Sequence, residues 1–166
     1  WEKGDGSEEY LRILSGGVIV IGGTSSQEVY GTNAVQIQGT TAGASSLSLL
    51  RHGNSPYLVL GSSGGSSLGA VTALSDGDRI GQVTFAGADG TDINTHSASM
   101  AAYVDGSVSS NTVPARISFQ TGASETERLR IGASGEVTLR RGGISATPSL
   151  EIFGSGNVSD AESDNL

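Results

Sequence analysis

Apolar and polar side chains alternate along most of this chain. Val35-Gln36-Ile37-Gln38, Ile117-Ser118-Phe119-Gln120, Leu129-Arg130-Ile131, Val137-Thr138-Leu139 and Leu150-Glu151-Ile152 each put an apolar residue at every second position. A period of two is the spacing of a pleated strand with one buried face, whereas a helix would repeat at three and four. Leu47–Leu50, Tyr57–Leu60 and Val83–Phe85 hold the branched and aromatic types that strands favour, and are expected to be strands too. Ala98–Tyr103 is helix-prone through its alanines, but too short to stand as an isolated helix, and is also read as a strand. The runs end in glycine, at Gly22, Gly39, Gly61, Gly87, Gly122, Gly132, Gly142 and Gly154. Glycine adopts positive φ at low cost, so the expectation is short strands joined by tight turns. The fold class that follows is all-β.

A repeat links the two ends. Glu9-Tyr10-Leu11-Arg12-Ile13, Ser15-Gly16-Gly17-Val18-Ile19-Val20 and Gly22-Gly23 are matched by Glu127-Arg128-Leu129-Arg130-Ile131, Ser134-Gly135-Glu136-Val137-Thr138-Leu139 and Gly142-Gly143. The shared pattern is E-x-L-R-I, S-G-x-V-x-(V/L), G-G. The offset is 118 at the arginines and 120 at the glycine pairs, a drift that two single-residue insertions would explain, and Val35–Ile37 corresponds to Leu150–Ile152 at an offset of 115. Matching glycines carry little weight in so glycine-rich a chain; Leu, Arg and Ile in one register carry more. The two readings are similar hairpins produced by composition bias, or a module of roughly 115–120 residues of which the chain holds one copy and part of the next. The organisation expected is residues 1–39 as the end of one repeat with linking strands, 40–126 as the main β module, and 127–166 as the start of the next repeat with an acidic tail.

Composition narrows the class. Of 166 residues, 26 are glycine and 26 serine, and only eight are aromatic, which limits the core that one chain can bury. Nine basic residues against 17 acidic ones give a net charge of −8, and Lys3 is the only lysine. That argues against nucleic acid or an anionic membrane as the main partner, since both are held through clustered cations. Without cysteine there is neither a disulfide framework nor a thiolate metal site. The longest aliphatic run, Val18–Ile21, falls far short of a helical bilayer span. No signal peptide is visible, and an opening Trp1 is what a fragment or a processed product would show.

Two segments carry a family likeness. One runs Ser55-Pro56-Tyr57-Leu58-Val59-Leu60-Gly61 and on to Gly77-Asp78-Arg79-Ile80-Gly81-Gln82-Val83-Thr84-Phe85-Ala86-Gly87-Ala88-Asp89-Gly90-Thr91-Asp92. The other holds Val104-Asp105-Gly106, Pro114-Ala115-Arg116-Ile117-Ser118-Phe119-Gln120-Thr121 and Thr126-Glu127-Arg128-Leu129-Arg130-Ile131. This ordered set, from about Ser46 to Val137, resembles the shaft region of tailed-bacteriophage tail fibres and tail spikes, a region often followed by a self-cleaving intramolecular chaperone domain. The resemblance implies a homotrimeric β-fibre on the virion, outside the host cell. It implies other phage tail proteins as neighbours, and no catalytic residue. The chaperone domain's Ser–Lys chemistry has no counterpart here, because no lysine follows Lys3.

A trimer also suits the residues. Exposed strand edges invite pairing with another chain, and three chains pool their sparse apolar faces into one axis. That axis is expected to hold Ile13, Val18, Val20, Ile37, Val83, Phe85, Ile117, Phe119, Leu129, Ile131, Val137, Leu139 and Ile152. Arg116, Arg128, Arg130, Arg140 and Arg141 would face outward or bridge to acids on neighbouring chains. The same alternation fits an intertwined, triple-β-helix or β-prism-like fibre and a ring of three small sandwiches.

Chemical motifs are few. Gly61-Ser62-Ser63-Gly64-Gly65 fits the G-x-S-x-G nucleophile elbow, but no helix is expected after it. Asp76-Gly77-Asp78 and Asp89-Gly90-Thr91-Asp92 suggest either turns or a weak oxygen-ligand cation site. A glycosidase carboxylate pair needs a separation that sequence does not supply, in a chain whose one tryptophan is terminal. His52 and His96 stand in polar segments read as loops. No phosphate-cradling glycine motif is present. No catalytic, cofactor-binding or metal-binding residue is therefore assigned, and no cofactor is expected. The function expected is a non-enzymatic trimeric shaft linking a virion to its host-recognition tip. The alternatives are a receptor- or glycan-binding module acting through Gly87–Thr95 or Asp105–Pro114, and a filament subunit that completes its neighbour end to end.

Overall fold

The computed structural model describes residues 11–31 and 33–140. Within them the chain is all-β; a single 3-10 turn at Gly43–Ser45 is the only helical element among the described residues. Strands β1 (Leu11–Ile13), β2 (Ile19–Ile21) and β3 (Val35–Ile37) form a small sheet, with β1 antiparallel and β3 parallel to the central β2. The parallel pair needs a long crossover, which residues 22–34 supply. Gln36 organises that crossover: its side-chain amide clasps the backbone N–H and C=O of Gln27, and Gln38 donates to Ser25.

Strands β4 (Arg79–Gly87), β5 (Thr95–Val104), β6 (Ala115–Thr121), β7 (Thr126–Ile131) and β8 (Val137–Leu139) follow one another as an antiparallel meander. β5 contains the alanine-rich stretch expected as a strand, and pairing on both sides overrides its weak helix preference. β7 joins the sheet of β4–β6 directly, its first residue, Thr126, pairing with Thr121.

The repeat is real at the level of backbone geometry. Leu11↔Ile21, Arg12↔Val20 and Ile13↔Ile19 in the first hairpin become Leu129↔Leu139, Arg130↔Thr138 and Ile131↔Val137 in the second, at a constant offset of 118. The connecting loops match too. Leu14 N donates to Val18 O and Gly17 N to Leu14 O, as Gly132 N does to Glu136 O and Gly135 N to Gly132 O. Gly17 and Gly135 hold the same left-handed φ, 81° and 91°. The insertion inferred from matching Val18 with Val137 is not needed, because the turn aligns Ile19 with Val137. Turn geometry fixes hairpin register, and letter identity in the loop does not. The expected counterpart of β3, Leu150–Ile152, lies outside the described residues, as do Arg141, Gly142 and Gly154.

Two expected strands are not formed. Leu47–Leu50 and Tyr57–Leu60 have no regular secondary structure and pair with no described strand. Strand-type composition favours an extended conformation, but a strand also needs a ladder of backbone hydrogen bonds, and Leu60 touches Gly81 of β4 without forming one. Of the strand-end glycines that are described, only Gly22 and Gly122 have positive φ; the others at positive φ, such as Gly77 and Gly106, lie inside turns.

Candidate assembly surface

Residues paired across a ladder share a face of the sheet. The register therefore sorts the five strands into two surfaces. One carries Gln82 and Thr84 (β4), Ser99, Ala101 and Tyr103 (β5), Arg116, Ser118 and Gln120 (β6), Glu127 and Arg130 (β7) and Thr138 (β8). The other carries Val83 and Phe85, Met100 and Ala102, Ile117 and Phe119, Leu129 and Ile131, and Val137 and Leu139. The polar surface is the covered one. Ser118 is 0% and Gln120 7% exposed, while Phe85 is 60% and Phe119 38% exposed.

Polar side chains cover their own face. The hydroxyl of Ser99 donates to Gln120 Oε1 at 2.9 Å, and Gln120 Nε2 donates to the Tyr103 hydroxyl at 2.9 Å. The Tyr103 ring lies under two guanidinium groups, Arg116 at 4.9 Å and Arg79 at 5.5 Å from its centroid, a cation–π arrangement. Arg116 also pairs with Asp105 at 3.0 Å, and Arg130 and Arg140 both pair with Glu127, at 3.0 and 2.9 Å. Arg116 and Arg130 do not face outward as the sequence suggested, whereas the Arg140 side chain stays 54% exposed. Arg116 and Arg130 lie on the covered face because Tyr103 and Ser118 stand opposite them, and their acids come from the same chain. Arg128, set at an irregularity of the β6–β7 pairing, donates to Thr121 Oγ1.

A second cluster joins the two sheets. Val29 bridges Ile93, the Tyr30 ring packs tilted on His96 at 5.7 Å, and the Tyr30 hydroxyl donates to Glu125 Oε1, which Arg79 also holds at 2.7 Å through the other oxygen. Tyr30 and Glu125 are both left-handed, with φ of 48° and 49°. Such a backbone is costly without glycine and persists where surrounding contacts fix it. The Tyr30 hydroxyl, then Arg79, holds the Glu125 carboxyl below its ordinary pKa. Asp105 is lowered first by the backbone N–H of Ala133 and then by Arg116. Burial pushes Glu127 up, but the hydrogen bond and charge of Arg130 outweigh it and hold this group low as well.

The motifs resolve into structural roles. Ser63 donates to Ala70 O and accepts from Thr72 N, which closes the loop in which the G-x-S-x-G pattern lies. Asp78 accepts from Ser75 N and Asp89 from Thr91 and Asp92 N, so these two carboxylates build turns, while Asp76 accepts from Gly106 N and ties two distant loops together. No trio of histidine and acidic side chains that would hold a metal ion occurs among the described residues. His52 is exposed in a bend at residues 52–54, a loop position as expected. His96 departs from its expected loop: it is 5% exposed within β5, and its Nδ1 lies 2.9 Å from Gly122 O. Pairing of Thr95 and His96 with Gly87 and Ala86 carries the strand through a segment whose polarity suggested a loop.

The apolar surface holds no charged side chain in register with it, and Ala98 and Ala102 keep its centre low. It was legible in the alternation of β6 and β7; which face would stay open was not. No protein-family model matches the chain, and no curated protein matches it significantly.

Proposed function

We propose that this chain is a non-enzymatic structural segment of a phage-type tail fibre, a homotrimeric shaft between virion and host-recognition tip. Its subunits associate through the apolar face of the five-stranded sheet. One observation carries the reading: the face that would be the core of an ordinary domain is open to water, and the covered face is polar. A sheet in this state needs another apolar surface. No charged side chain is paired in register on the face, and Arg128 at its β7 margin is held by Thr121, so a copy of itself fits without burying an unpaired ion. Three such sheets turned toward a common axis make a prism with Phe85, Ile117, Phe119, Ile131 and Leu139 inside. Large apolar side chains contribute about 1.5–3 kcal/mol each on full burial, so completing the burial of this half-covered face stabilises by on the order of 5–10 kcal/mol per chain. Interchain contact of this kind sets length and stiffness and requires no catalytic group.

Light scattering on a size-exclusion column at a low and a high concentration tests it. A constant mass near 50 kDa, three times 16.7 kDa, with early elution supports the trimeric shaft. A stable 16.7 kDa monomer rejects it.

A second reading has its own observation. The matched hairpins β1–β2 and β7–β8 favour a module that recurs, as in a filament whose subunits complete one another end to end. That reading requires a mass that climbs with concentration.

A further inference from the structure

The segment between the two sheets is an arm without a seat. From Ser46 to Ser63 no backbone group hydrogen-bonds to the backbone of another described residue, yet the segment presents Leu47, Leu50, Tyr57, Leu58 and Val59 at 68–81% exposure. Tyr57-Leu58-Val59-Leu60 is a continuous apolar run, the pattern of a strand covered on both sides. Its last residue is already anchored. Leu60 lies against Gly81, where any side chain would stand 2.7 Å from Leu60 Cβ, and beside a hollow of about 130 Å³ that it lines with Val83, Met100 and Ile117. The arm therefore starts at the β4 edge of the apolar face, and the residues before Leu60 leave that face uncovered.

We propose that the arm is exchanged: Leu47–Val59 of one copy lies across the apolar sheet face of the next copy. This rests on the trimeric reading above. Charge permits it, since Arg51 is the only charged residue between Ser46 and Gly61 and the face has none in register, Arg128 lying at its β7 margin on Thr121. Reach permits it as well. The arm bends at residues 52–54, where Gly53 has φ 81°. Its two halves, residues 47–51 and 55–60, each span about 15 Å at about 3.3 Å per residue, so that together they can cross the roughly 20 Å of five strands. Each copy offers one arm and one face, so the contact runs head to tail and closes when the last arm meets the first face.

The chain lacks cysteine, so Leu58→Cys with Met100→Cys gives the only two thiols, one on the arm and one at the centre of the face. A short bismaleimide is applied to the double variant alone and after co-refolding with a large excess of cysteine-free chain. Covalent dimers and trimers that vanish on dilution, with no intrachain link by peptide mass spectrometry, support exchange. An intrachain link that survives dilution overturns it, since the arm then covers its own face. A particle of three chains with no cross-link overturns it too, and leaves the trimeric reading standing. A mass of one chain removes the trimer and the exchange together. On the unaltered chain, amide hydrogen exchange gives an independent check: protection of residues 47–59 in the trimer is expected, and free exchange there rejects the proposal.

Discussion

On one surface of the five-stranded sheet, Ser99, Ser118 and Gln120 are shut beneath arginines and a tyrosine. On the other, Phe85, Met100, Ile117 and Phe119 stand open to water. Both surfaces come from the same strands, alternating residue by residue. The polar one is closed by its own long side chains: each hydrogen-bonding group on Gln120 and each acid beside the arginines finds a partner in the same chain, while Gln82 Oε1 and Arg116 Nε are buried without one. Apolar side chains have no such reach, and a single layer of them is completed only by a second layer. The contrast teaches that the two faces are closed by different means: the polar side by side chains of the same sheet, the apolar side only by a further layer, which the described residues do not supply.

The largest effect is expected from charging the open face. Phe119→Asp or Ile131→Asp should abolish assembly, seen by light scattering as the mass of one chain. A normal particle from either variant would break the assignment of that face as the interface. On the covered face, Ser118→Leu should act on stability and leave mass unchanged, since overfilling a closed site costs about 1–3 kcal/mol; denaturant unfolding measures it. If Ser118→Leu alters assembly instead, the two faces are not separable.

Acid should also act, on the polar face and on the cluster of Tyr30, Arg79 and Glu125. Glu125, Glu127 and Asp105 have lowered pKa values in the folded chain. Groups of that sign contribute stability above their unfolded values, about 3.9 for Asp and 4.3 for Glu. The contribution is lost as pH falls through the folded values. The denaturant midpoint should therefore drop below about pH 4 and stay level between pH 6 and 8. A midpoint that falls in that upper range would point away from these carboxylates.

Smaller effects sharpen the match between the hairpins. Gly17→Ala and Gly135→Ala each place a side chain at left-handed φ with open space around it, so each should cost about 1 kcal/mol through conformation alone. Unequal costs would mean that the loops are alike in shape but not in role. Tyr30→Phe removes one hydrogen bond from a partly exposed site and should cost about 0.5–1 kcal/mol.

The alternation in β6, β7 and β8, together with the match of Leu11-Arg12-Ile13 to Leu129-Arg130-Ile131, was enough to read these strands and the repeat from the chain. The match survives because a hairpin is local: a strand, a glycine turn and the returning strand fix one another within a dozen residues. Local pattern misplaced Leu47–Leu50 and Tyr57–Leu60, strand-type runs that form no ladder with a described strand, and His96, where a polar stretch is pulled into β5 by its neighbours. Alternation says that a strand has two unlike faces and leaves open which of them is covered. By itself, then, the sequence determined the all-β class, the alternating faces and the duplicated hairpin. Only the tertiary structure decided that the polar face is the closed one. That outcome depends on Arg79, Arg116 and Tyr103 meeting across different strands, and such distant contacts leave no trace in local periodicity.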